Sequence, residues 1–201
     1  MQILISYKIS EGFLIFSSLF RKTTNNILFL LSAQWRRVWH IFKKKFNSEK
    51  ITLLENAEEL EEYCYFVAGA VGEMLCSLFI KEVPGLPTPN KEIMHRAAVS
   101  FGLGLQITNI SKDIVVDRGR GWSYVPRSYI EANGLTSDEF HAGTSTENDL
   151  KVLESLLNKT VGHLNDALNF TLAIPRSYMR IRLFCIWPLW MAMETVAELH
   201  A

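Results

Sequence analysis

Leu105-Gln-Ile-Thr-Asn-Ile-Ser-Lys-Asp-Ile-Val-Val-Asp117 decides the fold and points to the chemistry. Its apolar residues recur at helical spacing, and they continue an apolar run from Ala97, Ala98, Val99, Phe101 and Leu103. Gln106, Asn109, Asp113 and Asp117 stand at i, i+3, i+7 and i+11. At about 100° per residue, these four fall within roughly 80° of one another. They form one polar stripe on an otherwise apolar helix. No aspartate precedes Asp113 anywhere in the chain.

Two carboxylates one turn apart repel each other. Lys112 and Arg118 flank them, but a hard divalent cation would resolve the repulsion better. Magnesium takes oxygen ligands, keeps several waters, and is often held by one or two carboxylates plus substrate phosphates. Asn109 and Gln106 would add neutral oxygens or bind substrate. The simpler alternative is a solvated acidic face at the end of a surface helix. The full stripe, followed by a basic loop, favours the metal.

Outward from this helix the pattern stays helical. Asn56 can cap a helix over about Ala57–Lys81, with Glu58 and Glu59 in its first turn. Val83-Pro-Gly-Leu-Pro-Thr-Pro89 is a loop, and Thr88-Pro89 opens the stripe helix with Pro at the first helical position. That helix runs to about Asp117, followed by a Gly- and Arg-rich loop over Arg118–Ser123. Pro126 starts a short helix ended by Gly134, and Thr136-Ser-Asp-Glu139 is a capping box. A helix spans about Glu147–Leu172, and a last one begins near Tyr178 with a kink at Pro188. The expectation is an all-α bundle whose interior is lined by facing helices.

The 201 residues suit one domain, and 48% hydrophobic residues suffice for its core. The net charge of zero hides an asymmetry. Residues 1–46 hold eight Lys/Arg against Glu11 alone, leaving thirteen basic residues against twenty acidic ones in the remainder. This segment, 1–50, reads as basic amphipathic helix, either touching an anionic membrane surface peripherally or simply solvated. Its apolar runs, Gly12–Phe20 and Ile27–Ala33, fall short of a membrane span of about 20 residues. Cys64, Cys76 and Cys185 have no CxxC spacing and odd number, which points to a reducing, cytoplasmic setting. Nothing indicates a nucleic-acid partner.

Two long motifs resemble the squalene/phytoene synthase family. The stripe, followed by Arg120-Gly121 and Tyr124-Val-Pro126, resembles that family's second aspartate-rich motif. Tyr63-Cys-Tyr-Phe-Val-Ala-Gly-Ala-Val-Gly72 resembles its YCYxVAGxVG hallmark, and Ile174–Pro188 resembles a segment nearer its C-terminus. The resemblance covers about residues 56–195 and implies a partial isoprenoid-synthase-like bundle over 51–201, incomplete at both ends. It implies a magnesium-dependent transferase that joins two farnesyl or geranylgeranyl diphosphates head to head. NADPH would enter only if the product were reduced to squalene.

By that resemblance, Asp113, Asp117 and Asn109 hold magnesium, and Gln106 sits beside them in the substrate cavity. Lys112 and Arg120 neutralise the departing diphosphate. Tyr63 and Tyr124 line the cavity near the carbocation, with Tyr63 a candidate for proton handling. Val67 and Gly69 contact the prenyl chain. The small residues Ala68, Gly69, Ala70 and Gly72 leave room either for that chain or for close helix packing.

The chain also departs from the family. Residues 1–62 lack the earlier aspartate-rich motif, so condensation by this chain is expected to be weak or absent. Lys112 stands where Arg is usual, and Trp122 where another Arg is common. A non-catalytic member acting in assembly or interaction, such as the family's mitochondrial assembly factor, is the alternative.

Overall fold

A computed structural model describes residues 54–143 and 146–201. The expected N-terminal helices lie outside them. Among the described residues there are helices and turns but no strand, as an all-α bundle requires.

The helix α1 (Ala57–Cys64) is capped by Asn56, whose side chain accepts from the Glu59 N–H at 3.0 Å. It passes through a π-helical segment, Tyr65–Gly69, into α2 (Ala70–Glu82). The hallmark motif therefore sits on the widened turn, a local device common at functional sites. By length and composition, the whole run Ala57–Glu82 could cross a membrane. That departs from the expectation that no segment qualifies. Here part of its apolar surface is packed against α3 instead.

The stripe helix α3 spans Thr88–Gly119. Its cap is Pro87, so Thr88 is already helical and Pro89 is second rather than first. Its C-terminal end continues past Asp117 through Arg118 and Gly119. The Asp117 carbonyl accepts from the Arg120 and Trp122 N–H groups at 3.0 and 2.8 Å. Gly121, at φ 73°, then reverses the chain. The loop expected from Arg118 thus begins at Arg120, because these bonds hold two more residues in the helix. Short helices α4 (Arg127–Ala132) and α5 (Ser137–Ala142) follow, and the Thr136–Glu139 capping box is formed as expected.

The helix α6 (Thr146–Ala173) runs antiparallel to α3 and makes the most extensive helix contact in the fold. Arg118 meets Asp149 at one end, and the Asn90 side chain donates to the Ala173 carbonyl at 2.7 Å at the other. The helix α7 (Met179–His200) runs through Pro188 without ending. One apolar core joins α1, α3, α4 and α6 through Leu60, Ile107, Ile130 and Leu156, all fully buried. A second joins α6 to α7 through Leu164, Ala167, Leu189 and Ala192. Cys64, Cys76 and Cys185 are free and buried in these helices, acting as small apolar side chains.

The small residues resolve partly into packing. A Cβ on Gly72 would lie 2.0 Å from the Ala98 carbonyl oxygen, and one on Gly102 would lie 2.3 Å from that of Ala68. The two helices cross where neither can carry a side chain. Gly69 is likewise buried against Leu103 and Val99.

A polar clasp also joins α3 to α6. The Ser100 hydroxyl donates to Asp166 Oδ2 at 2.8 Å and lies 2.8 Å from His163 Nδ1. With that proton committed to Asp166, His163 must present Nδ1–H to the Ser100 oxygen. The serine bridges the other two groups, so this is not the relay that activates a nucleophile, in which histidine is central. Burial and then Lys159 hold His163 below the ordinary imidazole range, while Glu61 and Asp166 pull it back. Lys159 itself pairs with Glu61.

A histidine with a depressed folded pKa stabilises the fold above its unfolded pKa, and this contribution is lost as pH falls below about 6.5. Melting temperatures of the chain should therefore fall on acidification from pH 7.5 to 5.5, and less steeply in His163→Gln. Equal slopes for the two proteins would refute this role for His163.

Candidate active site

The stripe is displayed by the C-terminal half of α3. Asp117 is the more enclosed carboxylate, its side chain 14% exposed, whereas that of Asp113 is 45% exposed. Gln106 is half-buried and Asn109 exposed. The stripe thus runs from an enclosed carboxylate at Asp117 to a solvent-facing amide at Asn109. Val116, about 60° round the helix from Asp113, is exposed as well.

Asp117 senses its neighbour one turn back. Burial, and then the charge of Asp113, push Asp117 above the ordinary carboxylate range, and Arg120 partly offsets this. Lys112 Nζ is 3.7 Å from Asp113 Oδ1, and Arg120 Nη1 is 3.6 Å from Asp117 Oδ1. Both basic side chains are more than half exposed, and Arg120 lies over the Trp122 ring at 5.6 Å. Long, exposed ion pairs are weak. Both bases are therefore free to turn toward an incoming anion. Arg118, by contrast, is directed away from the stripe and pairs with Asp149 at 3.2 Å.

Behind Asp117 stand the two tyrosines. Their ring centroids are 4.9 Å apart, and a hydrogen bond links their side chains. Burial, followed by Tyr124, pushes Tyr63 far above the usual phenol range. It keeps its proton at neutral pH and can donate a hydrogen bond. Burial and Asp117 also raise Tyr124, while the bond with Tyr63 lowers it. Tyr124 thus mediates between the buried tyrosine and the carboxylate.

An apolar cavity of about 280 Å³ lies farther back along α3. Val67, Ala68, Val71 and Gly72 line it from α1–α2, Phe101, Gly102 and Leu105 from α3, and Phe184 and Pro188 from α7. Leu105 directly precedes Gln106. At 1.5 Å per residue it lies about 12 Å along the helix from Asp113. Val67 lines this cavity. Gly69 does not: its place is filled by close packing, with Leu103 and Tyr65 side chains 3.0 Å from where a Cβ would stand.

The structure therefore brings together, at one end of a bundle, two neighbouring carboxylates, two exposed bases and a tyrosine pair, with an apolar cavity behind. The donor set fits magnesium. Its members are hard oxygens, and no group of three or more His, Cys, Asp or Glu among the described residues suggests a softer metal or an all-protein cage.

Comparison with known proteins gives this arrangement its family. The squalene/phytoene synthase profile matches residues 45–201. The chain belongs to the squalene/phytoene synthase family. Members of this family condense prenyl diphosphates head to head.

Among its relatives, squalene synthase ERG9 of Candida albicans is 33% identical over 172 residues, covering 80% of this chain and 35% of the relative. The bifunctional lycopene cyclase/phytoene synthase of Colletotrichum graminicola is 33% identical over 123 residues, covering 61% and 21%. Phytoene synthase 1 of Solanum lycopersicum is 36% identical over 93 residues, covering 46% and 22%. The chain thus spans between a fifth and about a third of these relatives. The solved squalene synthase HpnC of Alicyclobacillus acidocaldarius superposes with a TM-score of 0.66 at 19% identity, covering 83% of this chain and 58% of that one. That likeness bears out the isoprenoid-synthase fold.

Several contributors escaped the sequence reading. The Ser100–His163–Asp166 clasp and the Arg118–Asp149 pair join residues 31 to 66 positions apart, and no local pattern announces them.

Because its folded pKa is raised, Asp117 costs stability once pH exceeds the unfolded carboxyl value and the group must ionise. Asp117→Asn is expected to raise the melting temperature at pH 7.5 by no more than about 3 °C. A lower melting temperature would show that the carboxylate is stabilising and not strained.

Proposed function

We propose that this chain binds an allylic prenyl diphosphate with magnesium at Asp113 and Asp117 and serves the ionising half of a head-to-head condensation. The observation that carries this reading is the coupling of Asp117 to Asp113 beside two loosely held bases, at one end of a helix that also lines an apolar cavity.

In this reading Asp113 and Asp117, with Asn109, hold the metal, and Gln106 contacts the substrate. Magnesium would supply positive charge against the diphosphate oxygens. Breaking the allylic C–O bond leaves its electron pair on the diphosphate and positive charge on the carbon. Lys112 and Arg120, free to swing from their present partners, would neutralise the departing group. The faces of Tyr63 and Tyr124 would attract the allylic cation. With its raised pKa, Tyr63 would donate a hydrogen bond and orient Tyr124. The prenyl tail would extend into the cavity past Val67, away from water. Farnesyl and geranylgeranyl diphosphate both suit the chemistry. NADPH would be needed only for reduction to squalene. A cytoplasmic location, with peripheral membrane contact through residues 1–50, completes the proposal.

A second reading, a family member that assembles partners without turnover, draws on one observation. Leu183, Trp187, Trp190 and Met191 are all more than half exposed along α7, a patch of the kind that marks protein contacts.

Calorimetry with a non-hydrolysable farnesyl or geranylgeranyl diphosphate analogue separates the two. Binding is expected with magnesium and not with EDTA, and it should vanish in Asp113→Asn/Asp117→Asn while circular dichroism stays helical. Unchanged binding in the double variant would refute the site. With farnesyl or geranylgeranyl diphosphate as substrate, little or no condensation is expected, because no aspartate precedes Asp113. Robust C30 or C40 product would show that the missing motif is not required.

A further inference from the structure

Arg118 follows Asp117 directly, yet its charge serves another carboxylate. Its Nη1 lies 3.2 Å from Asp149 Oδ2, and its Cζ lies 4.4 Å from the centroid of Phe140. The side chains of Arg118 and Asp149 are only 17% and 20% exposed. Gly143, at φ 65°, makes the approach possible, since a Cβ there would stand 2.9 Å from Nη1. Asp149 lies in the first turn of α6, where the helix dipole favours an anion. One guanidinium therefore joins the last turn of α3 to the end of α5 and the start of α6. Removing either member of such an enclosed pair leaves the other charge uncompensated.

The backbone on the other side of this residue is equally tied. The Arg118 carbonyl accepts from the Gly121 N–H at 2.9 Å, and the Asp117 carbonyl from the Trp122 N–H at 2.8 Å. Asp117 thus sits on a turn held on both sides, while Asp113 stands one turn back.

We propose that Arg118 is a positioning residue for the Asp113–Asp117 pair. By gripping Asp149 and Phe140 it fixes the last turn of α3 and keeps its own charge off the two carboxylates, so that they stay available to a metal–diphosphate ligand. The proposal rests on the function inferred above. Its role is that of the outer groups that orient metal ligands in other proteins, whose loss weakens metal affinity without removing a ligand.

The test uses the full chain and a magnesium titration of prenyl diphosphate analogue binding. Arg118→Gln and Asp149→Asn should each raise the half-saturating magnesium concentration about tenfold. Arg118→Lys should recover much of that loss, because its charge still reaches Asp149 although the stacking on Phe140 is gone. The double variant should be no worse than either single one. An unchanged magnesium midpoint in folded variants would overturn the proposal. Should the wild-type chain bind no analogue at any magnesium concentration, the functional reading fails by itself. Amide exchange then decides the positioning role. The Trp122 amide should exchange faster in Arg118→Gln than in the wild type, with α7 amides unchanged, and equal rates would overturn the proposal.

Discussion

Two carboxylates held one turn apart on a helix repel each other, and the end of α3 is built around that repulsion. Asp117 is enclosed by the turn Arg120–Ser123 and by Tyr124, which deepens the cost of its charge. The cations that could relieve it are kept at arm's length. Arg120 and Lys112 stay beyond 3.5 Å and largely in water, and Arg118 is bound to Asp149. A protein under selection for stability alone would pair or replace such charges. Strain of this kind is tolerated where a cation and an anionic ligand relieve it together.

The rest of the fold serves that end of the helix. The glycine crossing of α2 and α3 brings the two backbones into contact, and the same stretch borders the apolar cavity. The small residues of the hallmark motif thus do two jobs at neighbouring positions. Gly72 and Gly102 allow the helices to touch, while Val67 and Ala68 line the space beside them. The antiparallel contact of α3 with α6 supplies the rigid backing, pinned by Asn90 at one end, Ser100 along its length and Arg118 at the other. What the described residues leave uncovered is the outer side of the stripe, where Asn109 and Asp113 meet solvent.

Much of this was legible in the sequence because its signals are local. Helical spacing, the Asn56 and Thr136 caps, and the Pro–Gly breaks depend on residues within a few positions of one another, and they located the helices to within a residue or two. The stripe was legible for the same reason, since i, i+3, i+7 and i+11 define a face whatever packs against it. Periodicity specifies a face but not what covers it, so the different exposures of Asp113 and Asp117 could not be foreseen. A glycine in a small-residue run suits a channel and a close crossing equally well, and at Gly69 only the neighbouring Leu103, Tyr65 and Val99 side chains show the close packing. The direction of Arg118 depends on Phe140, Gly143 and Asp149, three residues with no motif in common. The burial of Tyr63 and its stacking with Tyr124 likewise join residues far apart in the chain, which no local pattern announces.

The central claim is that Asp113 and Asp117 together hold a divalent cation against a diphosphate. Crystals grown with manganese and pyrophosphate test it most directly, because manganese scatters anomalously and takes the same oxygen ligands. The account predicts an anomalous peak within direct coordination distance of carboxylate oxygens of both aspartates, with pyrophosphate completing its coordination. Pyrophosphate bound elsewhere with no metal at these residues, or manganese at a site lacking both of them, would contradict it.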